Sequence, residues 1–216
     1  MVKVDLHTHS YGSPDGGISL LQYKKILDTK TLDYVAVTDH NAIESAQRIQ
    51  KELGDRVIVG EEIMTTAGEI IGLYLTKLIP SGLSPVDAVA QIKAQGGIVY
   101  VPHPFETVRS GLDSASLKTI IKDVDIIELR NGRALLQNMT KQAREWASMH
   151  EIAVAASSDA HSARGIGRTY SLLSISPTKK TLVAQLKLAE HSTKLASLPS
   201  LLSPKANRIK RRLKRS

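Results

Sequence analysis

The sequence contains no cysteine, so it can form neither a disulfide nor a thiolate metal site. Any metal ion would have to be held by histidine, aspartate and glutamate. Aromatic residues make up 4% of the chain, which leaves the core to aliphatic side chains. No window approaches 18 uninterrupted apolar residues, and no basic segment followed by an apolar stretch opens the chain. We therefore expect a soluble cytoplasmic protein with no membrane contact.

Length and charge favour a single domain with a basic tail. The 216 residues are 42% hydrophobic and 23% charged, which is ordinary for a globular protein and long enough for one sizeable core. The net charge of +8 comes almost entirely from the C-terminal end, so the rest of the chain is close to neutral. We predict one domain over residues 1–195 and a basic tail over residues 196–216. The tail is either solvated or a contact for a polyanion. Its charges are Lys205, Arg208, Lys210, Arg211, Arg212, Lys214 and Arg215.

A His-x-His sequence lies close to the N-terminus, at His7 and His9. In an extended strand, alternate side chains share a face, so the two imidazoles point the same way. Two converging imidazoles suit a transition metal. Taken alone, the pair also fits a surface strand with two incidental histidines.

Short strands rich in β-branched residues alternate with helical patterns along the chain, which predicts a parallel α/β arrangement. The predicted strands cover residues 3–6, 33–37, 57–59, 69–75, 98–101, 125–129, 152–156 and 169–175. The predicted helices cover residues 18–27, 42–53, 85–94, 114–122, 138–149 and 178–189. Polar residues collect where strands end, which favours a barrel with its site at the carboxyl ends of the strands.

Five of the seven histidines belong to these clusters at strand ends; His150 and His191 fall in predicted helices. Surface histidines scattered at random would not be sorted in this way. The polar residues at or just beyond strand ends are His7, His9, Asp15, His40, Glu62, His103, Asp159 and His161.

Four segments resemble the motifs of the polymerase and histidinol phosphatase (PHP) family, in the family's order. They are Asp5-Leu6-His7-Thr8-His9-Ser10, Thr38-Asp39-His40, His103-Pro104 and Ser158-Asp159-Ala160-His161. The resemblance spans residues 2 to 176. It implies a distorted (β/α)7 TIM-like barrel of the PHP type and an enzyme with two or three divalent metal ions at the strand ends.

The resemblance also assigns roles by position. His7, His9, Glu62 and Asp159 would hold one metal, Glu62 would bridge to a second that also takes His103, and Asp15, His40 and His161 would hold the third. It implies catalytic roles for His7, His9, Glu62, Asp159 and His161. A mixed nitrogen and oxygen set suits Mn, Fe or Zn better than Mg or Ca.

The chain departs from the nucleotide-cleaving branch of the family in two ways. That branch often places a histidine where this chain has Glu69, so Glu69 is either a metal ligand or a solvent-facing charge at the start of a strand. The branch also commonly carries an inserted domain between the glutamate and the lone histidine. Here about forty residues separate Glu62 from His103, which implies a more open site.

Residues outside the motifs are assigned more loosely. Arg164 and Arg168 flank Gly165-Ile166-Gly167 just after the last motif, and we predict that they bind the substrate phosphate. Arg130 and Arg133 are further candidates that also fit ordinary surface arginines. We expect Asp5 and Asp39 either to orient ligating histidines or to cap the following helices. Glu128 ends a strand, and its role is left open.

Three functions remain open from the sequence. The first is a metal-dependent phosphoric ester hydrolase acting on a small phosphomonoester or nucleotide, with histidinol-phosphatase-like activity as a variant. The second is a 5′–3′ exonuclease or oligonucleotide-trimming nuclease whose basic tail holds nucleic acid. The third is a non-catalytic binding protein on the same barrel, which the complete set of motifs disfavours.

Overall fold

The computed structural model describes residues 1–135 and 139–213, and they form a single twisted sheet surrounded by helices. The strands are β1 (Val2–Asp5), β2 (Tyr34–Val37), β3 (Val57–Thr65), β4 (Gly68–Leu73), β5 (Ile98–Val101), β6 (Ile126–Asn131), β7 (Ala153–Ser157), β8 (Thr169–Leu173) and β9 (Glu190–Thr193). The helices are α1 (Leu20–Asp28), α2 (Glu44–Leu53), α3 (Pro85–Ala94), α4 (Ser114–Ile120), α5 (Thr140–Met149), α6 (Leu182–Leu186), α7 (Leu198–Leu201) and α8 (Ser203–Leu213).

The sheet order is β7-β6-β5-β4-β3-β2-β1-β8-β9. Strands β1 to β3 are mutually parallel, as are β5 to β7, whereas β4 runs antiparallel to both of its neighbours. Just beyond β1 and β7, Thr8 bridges Ala160, and the amide of His9 donates to the carbonyl of Ala160 at 2.9 Å. This contact links the segment after the edge strand β7 to the segment after β1, a strand six places away in the sheet order, and so closes the sheet into a barrel. The predicted distorted TIM-like barrel of α/β class is confirmed.

Alternating side chains divide the core into two layers. On β2, Val35 and Val37 pack outward against the helices, while Ala36 belongs to a smaller cluster that the barrel strands share. Each of these three residues is buried. A strand that is covered on both faces reads as a continuous apolar run, as β2 does.

Local sequence explains several of the helix starts. Ser19 and Gln22 form a reciprocal capping box at α1, Ser84 caps α3 ahead of Pro85, and Asp113 caps α4. Each cap satisfies amide groups that have no partner within the helix. These helices therefore begin within two residues of their predicted positions.

Two predicted elements are wrong in extent. The strand predicted at residues 57–59 continues to Thr65, because it pairs antiparallel with β4 from Gly60 opposite Leu73 to Thr65 opposite Gly68. The helix predicted at residues 178–189 is reduced to α6, and His191 lies in β9 instead. Pairing of β8 with β9 supplies backbone hydrogen bonds that override the local helical pattern.

Some predictions fall partly outside the described residues. The predicted start of the fifth helix at Asn138 lies there, as do the tail residues Lys214 and Arg215. The described part of the tail forms α7 and α8. No helix among the described residues has both the length and the apolar composition needed to cross a bilayer.

Candidate metal centre

The structure brings all nine predicted metal ligands to one mouth of the barrel. They come from segments that follow β1, β2, β5 and β7, from the loop before α1, and from the β3–β4 hairpin. Eight of them form two groups, and Glu69 lies between the groups. The inner cluster is His7, His9, Glu62, His103 and Asp159, and the outer cluster is Asp15, His40 and His161.

The inner cluster is centred on Glu62. One carboxylate oxygen lies 3.3 Å from His7 Nε2 and 3.1 Å from His103 Nε2, and the other lies 3.3 Å from His9 Nε2. Asp159 Oδ1 closes the group at 3.7 Å from His7 Nε2 and 3.4 Å from His9 Nε2. Glu62 sits inside strand β3 rather than at a strand end, so the sheet itself fixes its position.

The outer cluster adjoins the inner one through His40 and Asp159. Asp15 Oδ1 lies 3.4 Å from His161 Nε2 and 3.7 Å from His40 Nε2. His161 Nδ1 lies 3.4 Å from Asp159 Oδ1. Strand β7 ends at Ser157, and Asp159 has a φ of 51°, so a left-handed turn, not strand alternation, brings Asp159 and His161 together.

Glu69 is buried between the two clusters, which excludes the solvent-facing alternative. Its carboxylate lies 3.3 Å from His40 Nδ1 and 3.6 Å from His103 Nε2. Burial and the neighbouring charge of Glu62 raise the pKa of Glu69. Glu69 is therefore placed as a ligand would be; its ligation stays a prediction.

The hydrogen bonds leave imidazole nitrogens directed into the cluster. His7 Nδ1 donates to Glu128 Oε1 at 3.3 Å, and His9 Nδ1 donates to Ser13 Oγ at 3.0 Å. The two Nε2 atoms face each other at 3.1 Å. Burial lowers the pKa of His7, but the two carboxylates of the inner cluster outweigh burial and raise it well above its usual range. Two facing nitrogens need a cation near them, either a proton or a metal ion, so this pair is suited to a metal ion.

Buried atoms that lack a hydrogen-bond partner also indicate a metal site. Glu62 Oε2, Asp15 Oδ1 and His161 Nε2 are buried and form no hydrogen bond. An unpaired buried polar group costs about 1–3 kcal/mol, and three of them cluster here. Groups of side chains that could share one ion include His7 with His9 and Asp159, His7 with Glu62 and His103, and His40 with Glu62 and Glu69. The residues present therefore fit divalent metal ions.

Electrostatics also favour cations at this mouth. Burial lowers the pKa of His40, but Glu62 and Glu69 outweigh burial and raise it to about 9. Burial raises the pKa of Asp159, yet Arg133 and His7 hold it well below its usual range. A site that stabilises a proton on imidazole also attracts a metal ion, and the two compete for the same nitrogen.

Buried acids around the cluster orient the surrounding backbone. Asp5 accepts hydrogen bonds from the amides of His7 and Ser158, at 3.3 and 3.0 Å. Asp39 accepts from Ser13 Oγ at 3.0 Å, and Ser13 Oγ in turn accepts from His9 Nδ1. Asp39 therefore fixes a histidine through a serine, and neither acid caps a helix.

Glu128 is the most connected of these acids, which the sequence alone did not reveal. Besides His7, it accepts from the hydroxyl of Tyr100 at 2.7 Å, the amide of His103 at 2.7 Å and the side chain of Asn131 at 2.9 Å. It is buried on β6. One carboxylate thus sets the positions of His7 and His103 together.

A cavity of about 640 Å³ opens over both clusters, and its cationic walls differ from the predicted ones. Arg109, Arg133, Lys205 and Arg208 line it, whereas Arg164 and Arg168 do not. Arg168 turns away and donates to the carbonyl of Leu195 at 2.7 Å. The structure therefore does not bring the predicted phosphate-binding pair to the site.

Arg109 and Arg208 were missed by the sequence reasoning. Arg109 donates to Asp159 Oδ2 at 3.0 Å and also pairs with Glu106. Its position six residues after His103 was the signal that could have found it. Arg208 reaches the site from the C-terminal helix, and no local spacing indicates that contact.

Comparison with known proteins agrees with this architecture. A family model described as PHP-associated matches residues 139–190. An uncharacterized protein of Methanocaldococcus jannaschii is 34% identical over 151 residues, which cover 64% of this chain and 88% of that protein. A second uncharacterized protein of the same organism is 32% identical over 178 residues, 78% of this chain and 69% of that protein.

Two solved structures share the fold. One is a two-domain protein of Bacteroides vulgatus containing a predicted PHP-like metal-dependent phosphoesterase, with a TM-score of 0.71 at 20% identity over 96% of this chain and 69% of that one. The other is a lesion-specific endonuclease of Pyrococcus furiosus, with a TM-score of 0.63 at 18% identity over 88% of this chain and 57% of that one.

Fold and site together define an α/β barrel with a histidine- and carboxylate-rich candidate metal centre at the carboxyl ends of its strands. The PHP-associated segment at residues 139–190 and the fold shared with a PHP-like protein both support the predicted membership of the PHP family.

Proposed function

We propose that the protein is a metal-dependent phosphoesterase that hydrolyses a small phosphomonoester or nucleotide. The observation that carries the proposal is the convergence of unpaired buried ligand atoms at the floor of a cavity whose walls carry arginines. Divalent ions held there would supply a Lewis acid that activates water and neutralises phosphoryl oxygens. The chain's own residues hold the ions and the substrate.

The geometry supports three metal positions. His7, His9 and Asp159 would share one ion with Glu62. Glu62 would extend to a second ion with His103 and Glu69, and Asp15, His40 and His161 would hold a third. Imidazole nitrogens mixed with carboxylates favour Mn, Fe or Zn. The short contacts within the inner cluster support Glu62 as the bridge.

Arg109 and Arg133 are our candidates for binding the substrate phosphate. Both guanidinium groups contact Asp159, at 3.0 and 3.4 Å, and both line the cavity. A planar guanidinium matches phosphate oxygens in a bidentate manner. A phosphate bound by these arginines would lie beside Asp159 and the inner cluster.

Turnover of a panel of phosphate esters would test the proposal. The chelator-treated protein would be reloaded with Mn, Fe or Zn and assayed on p-nitrophenyl phosphate, mononucleotides and histidinol phosphate. We expect hydrolysis that appears with metal and disappears with chelator. No turnover of any ester by protein that has taken up metal would contradict the proposal.

A nuclease is the second candidate, favoured by a cavity of about 420 Å³ beside the first. Gly12, Pro14, Arg208, Arg211 and Arg212 line it, with no acidic residue among them. Arg208 lines both cavities, so positive charge continues from the metal centre along α8. The lesion-specific endonuclease, which shares the fold, is a nuclease by name.

The two candidates differ in their response to salt. If a nucleic-acid strand lies along α8, Arg212→Gln weakens oligonucleotide binding and lowers the slope of log K against log salt by about 1. Lys210→Gln removes the same charge from the same helix without altering the lining of either cavity. Equal slopes for both variants and the parent protein would contradict the nuclease reading and leave the small-ester proposal intact.

A further inference from the structure

The C-terminal helix α8 lies against the loop that carries Asp15, although the two are almost 200 residues apart in sequence. We propose that α8 is a positioning element of the metal centre: Asn207 and Arg208 hold Asp15 and His161 where they can share the third ion. The metal role rests on the proposed function, whereas the contacts of α8 can be tested without metal.

Asn207 joins the two segments that supply the outer cluster. Its side-chain amide donates to the carbonyl of Asp15 at 2.8 Å and to the carbonyl of His161 at 3.0 Å. One side chain thus fixes the separation of two candidate ligands. Gly17 leaves room for this contact, since a Cβ there would come within 2.6 Å of Asn207 Nδ2.

Arg208 fixes the orientation of the Asp15 carboxylate. Its Nη2 donates to Asp15 Oδ2 at 2.6 Å. The other oxygen, Oδ1, forms no hydrogen bond and faces the equally unpaired Nε2 of His161 at 3.4 Å. Holding one carboxylate oxygen by an outer partner while the other points at the ion is the usual way in which ligands are oriented.

Arg211 holds the rest of the loop. It donates to the carbonyl of Tyr11 at 2.6 Å and to that of Gly16 at 3.3 Å, and its guanidinium lies 6.0 Å from the centre of the Tyr11 ring. The start of the loop is held separately, by Asp39 through Ser10 and Ser13. The end of the loop, where Asp15 lies, is held by α8 in addition to the loop's own hydrogen bond from the amide of Gly16 to the carbonyl of Ser13.

The same contact makes the third position the weakest. Arg208 places a positive charge beside Asp15. Asp15 is the carboxylate that would share the third position with the imidazoles of His40 and His161. It is the one carboxylate of the outer cluster, whereas the inner cluster has Glu62 in addition to its aspartate, whose charge two arginines of the cavity offset. We therefore expect stepwise metal affinities, with the last step sensitive to α8.

The test compares Asn207→Leu with Lys210→Leu. Leucine has the branching of asparagine but a larger volume, favours helix and cannot donate, while Lys210 lies on the same helix and lines neither cavity. Mn²⁺ titration of each chelator-treated protein gives the stepwise affinities, and melting temperatures confirm folding. Hydrogen exchange without metal gives the protection of amides 11–17.

We expect Asn207→Leu to weaken the last Mn²⁺ step by about 10- to 100-fold, leave the tighter steps unchanged and speed exchange in residues 11–17. Lys210→Leu should match the parent protein in its last Mn²⁺ affinity, its tighter Mn²⁺ affinities and the exchange of residues 11–17. An Asn207→Leu protein with the parent's last affinity and loop exchange would overturn the inference. Parent protein that binds no Mn²⁺ would contradict the proposed function instead, and the exchange comparison would still decide whether α8 holds the loop.

Discussion

The inner and outer clusters use the same kinds of ligand but are supported by different parts of the fold. Glu62 lies within β3, and Glu128 on β6 fixes His7 and His103. The outer cluster depends on a loop and the C-terminal helix, and on a turn that it shares with Asp159 of the inner cluster. The side chain of His40 is 23% exposed, whereas that of His7 is fully buried.

The strands of the barrel position most of the inner cluster, whereas the loop that carries Asp15 and helix α8 position most of the outer cluster. Ligands at the ends of strands are placed by a ladder of backbone hydrogen bonds that the whole sheet shares. Ligands on a loop are placed by a few side-chain contacts, and single substitutions remove them. We therefore expect losses in the inner cluster to be larger and to affect every metal position.

The largest effect should come from His7→Ala. His7 lies within 3.7 Å of both Glu62 and Asp159, so its loss removes a nitrogen ligand and leaves buried carboxylates without a partner. We expect metal-dependent turnover to fall by more than the ~100-fold typical of an outer partner. His150→Ala, at an exposed histidine that ends α5, is the matched control and should retain activity. Equal turnover by the two variants would contradict the assignment of His7 as a metal ligand.

Glu128→Gln should have the next largest effect. The pKa of Glu128 is raised by burial, but His7 outweighs burial and keeps it below its usual range, so the group is ionised. Glutamine keeps the shape and loses the charge that orients His7. We expect about 10- to 100-fold weaker Mn²⁺ binding in the tight steps, measured by titration, against Glu145→Gln on the exposed face of α5. A change confined to the weakest step would show that the two clusters are not supported separately.

Asp39→Asn should weaken both clusters by a smaller factor, because Ser13 links Asp39 to His9 as well as to His40. Asp39 receives hydrogen bonds from Ser10 and Ser13, and Ser13 Oγ also accepts from the amide of His40 at 2.9 Å. An amide replaces one acceptor by a donor, which costs roughly 1–3 kcal/mol where a buried group loses its partner. We expect the tight and the last Mn²⁺ steps both to weaken and loop exchange to rise. Unchanged exchange in residues 11–17 would contradict this role.

Arg164→Gln should have the smallest effect, because this side chain is exposed and outside the cavity. The same change at Arg133, which contacts Asp159, should raise KM several-fold. A surface substitution such as Arg164→Gln usually changes stability by no more than about 0.5 kcal/mol, and a melting temperature checks that Arg133→Gln, whose side chain is only 20% exposed, also folds. A larger rise in KM for Arg164→Gln than for Arg133→Gln would restore the prediction made from the sequence.

The contrast between the clusters also explains what the sequence could reveal. Strand-end patterns and the motifs predicted the barrel, because a β-branched run followed by a histidine is a local signal. Neither the extension of β3 through Glu62 nor the formation of β9 at His191 is local, since each depends on pairing with another strand. Local helical spacing cannot anticipate such pairing.

The polar residues that hold the candidate ligands in place were harder to predict for the same reason. Asn207 and Arg208 meet Asp15 across more than 190 residues. In the sequence they appear as part of a basic run, which suggested a polyanion contact. Arg109 lies close to the motif histidine His103 and was within reach of sequence reasoning, whereas the role of α8 required the fold.

Anomalous X-ray scattering from crystals of the Mn²⁺-loaded protein would test the central claim most directly. We expect strong peaks within coordination distance of His7, His9, Glu62, His103 and Asp159, and a weaker peak between Asp15, His40 and His161 that is lost first as Mn²⁺ is diluted. Crystals with full Mn²⁺ uptake but no peak at this mouth of the barrel would contradict the account.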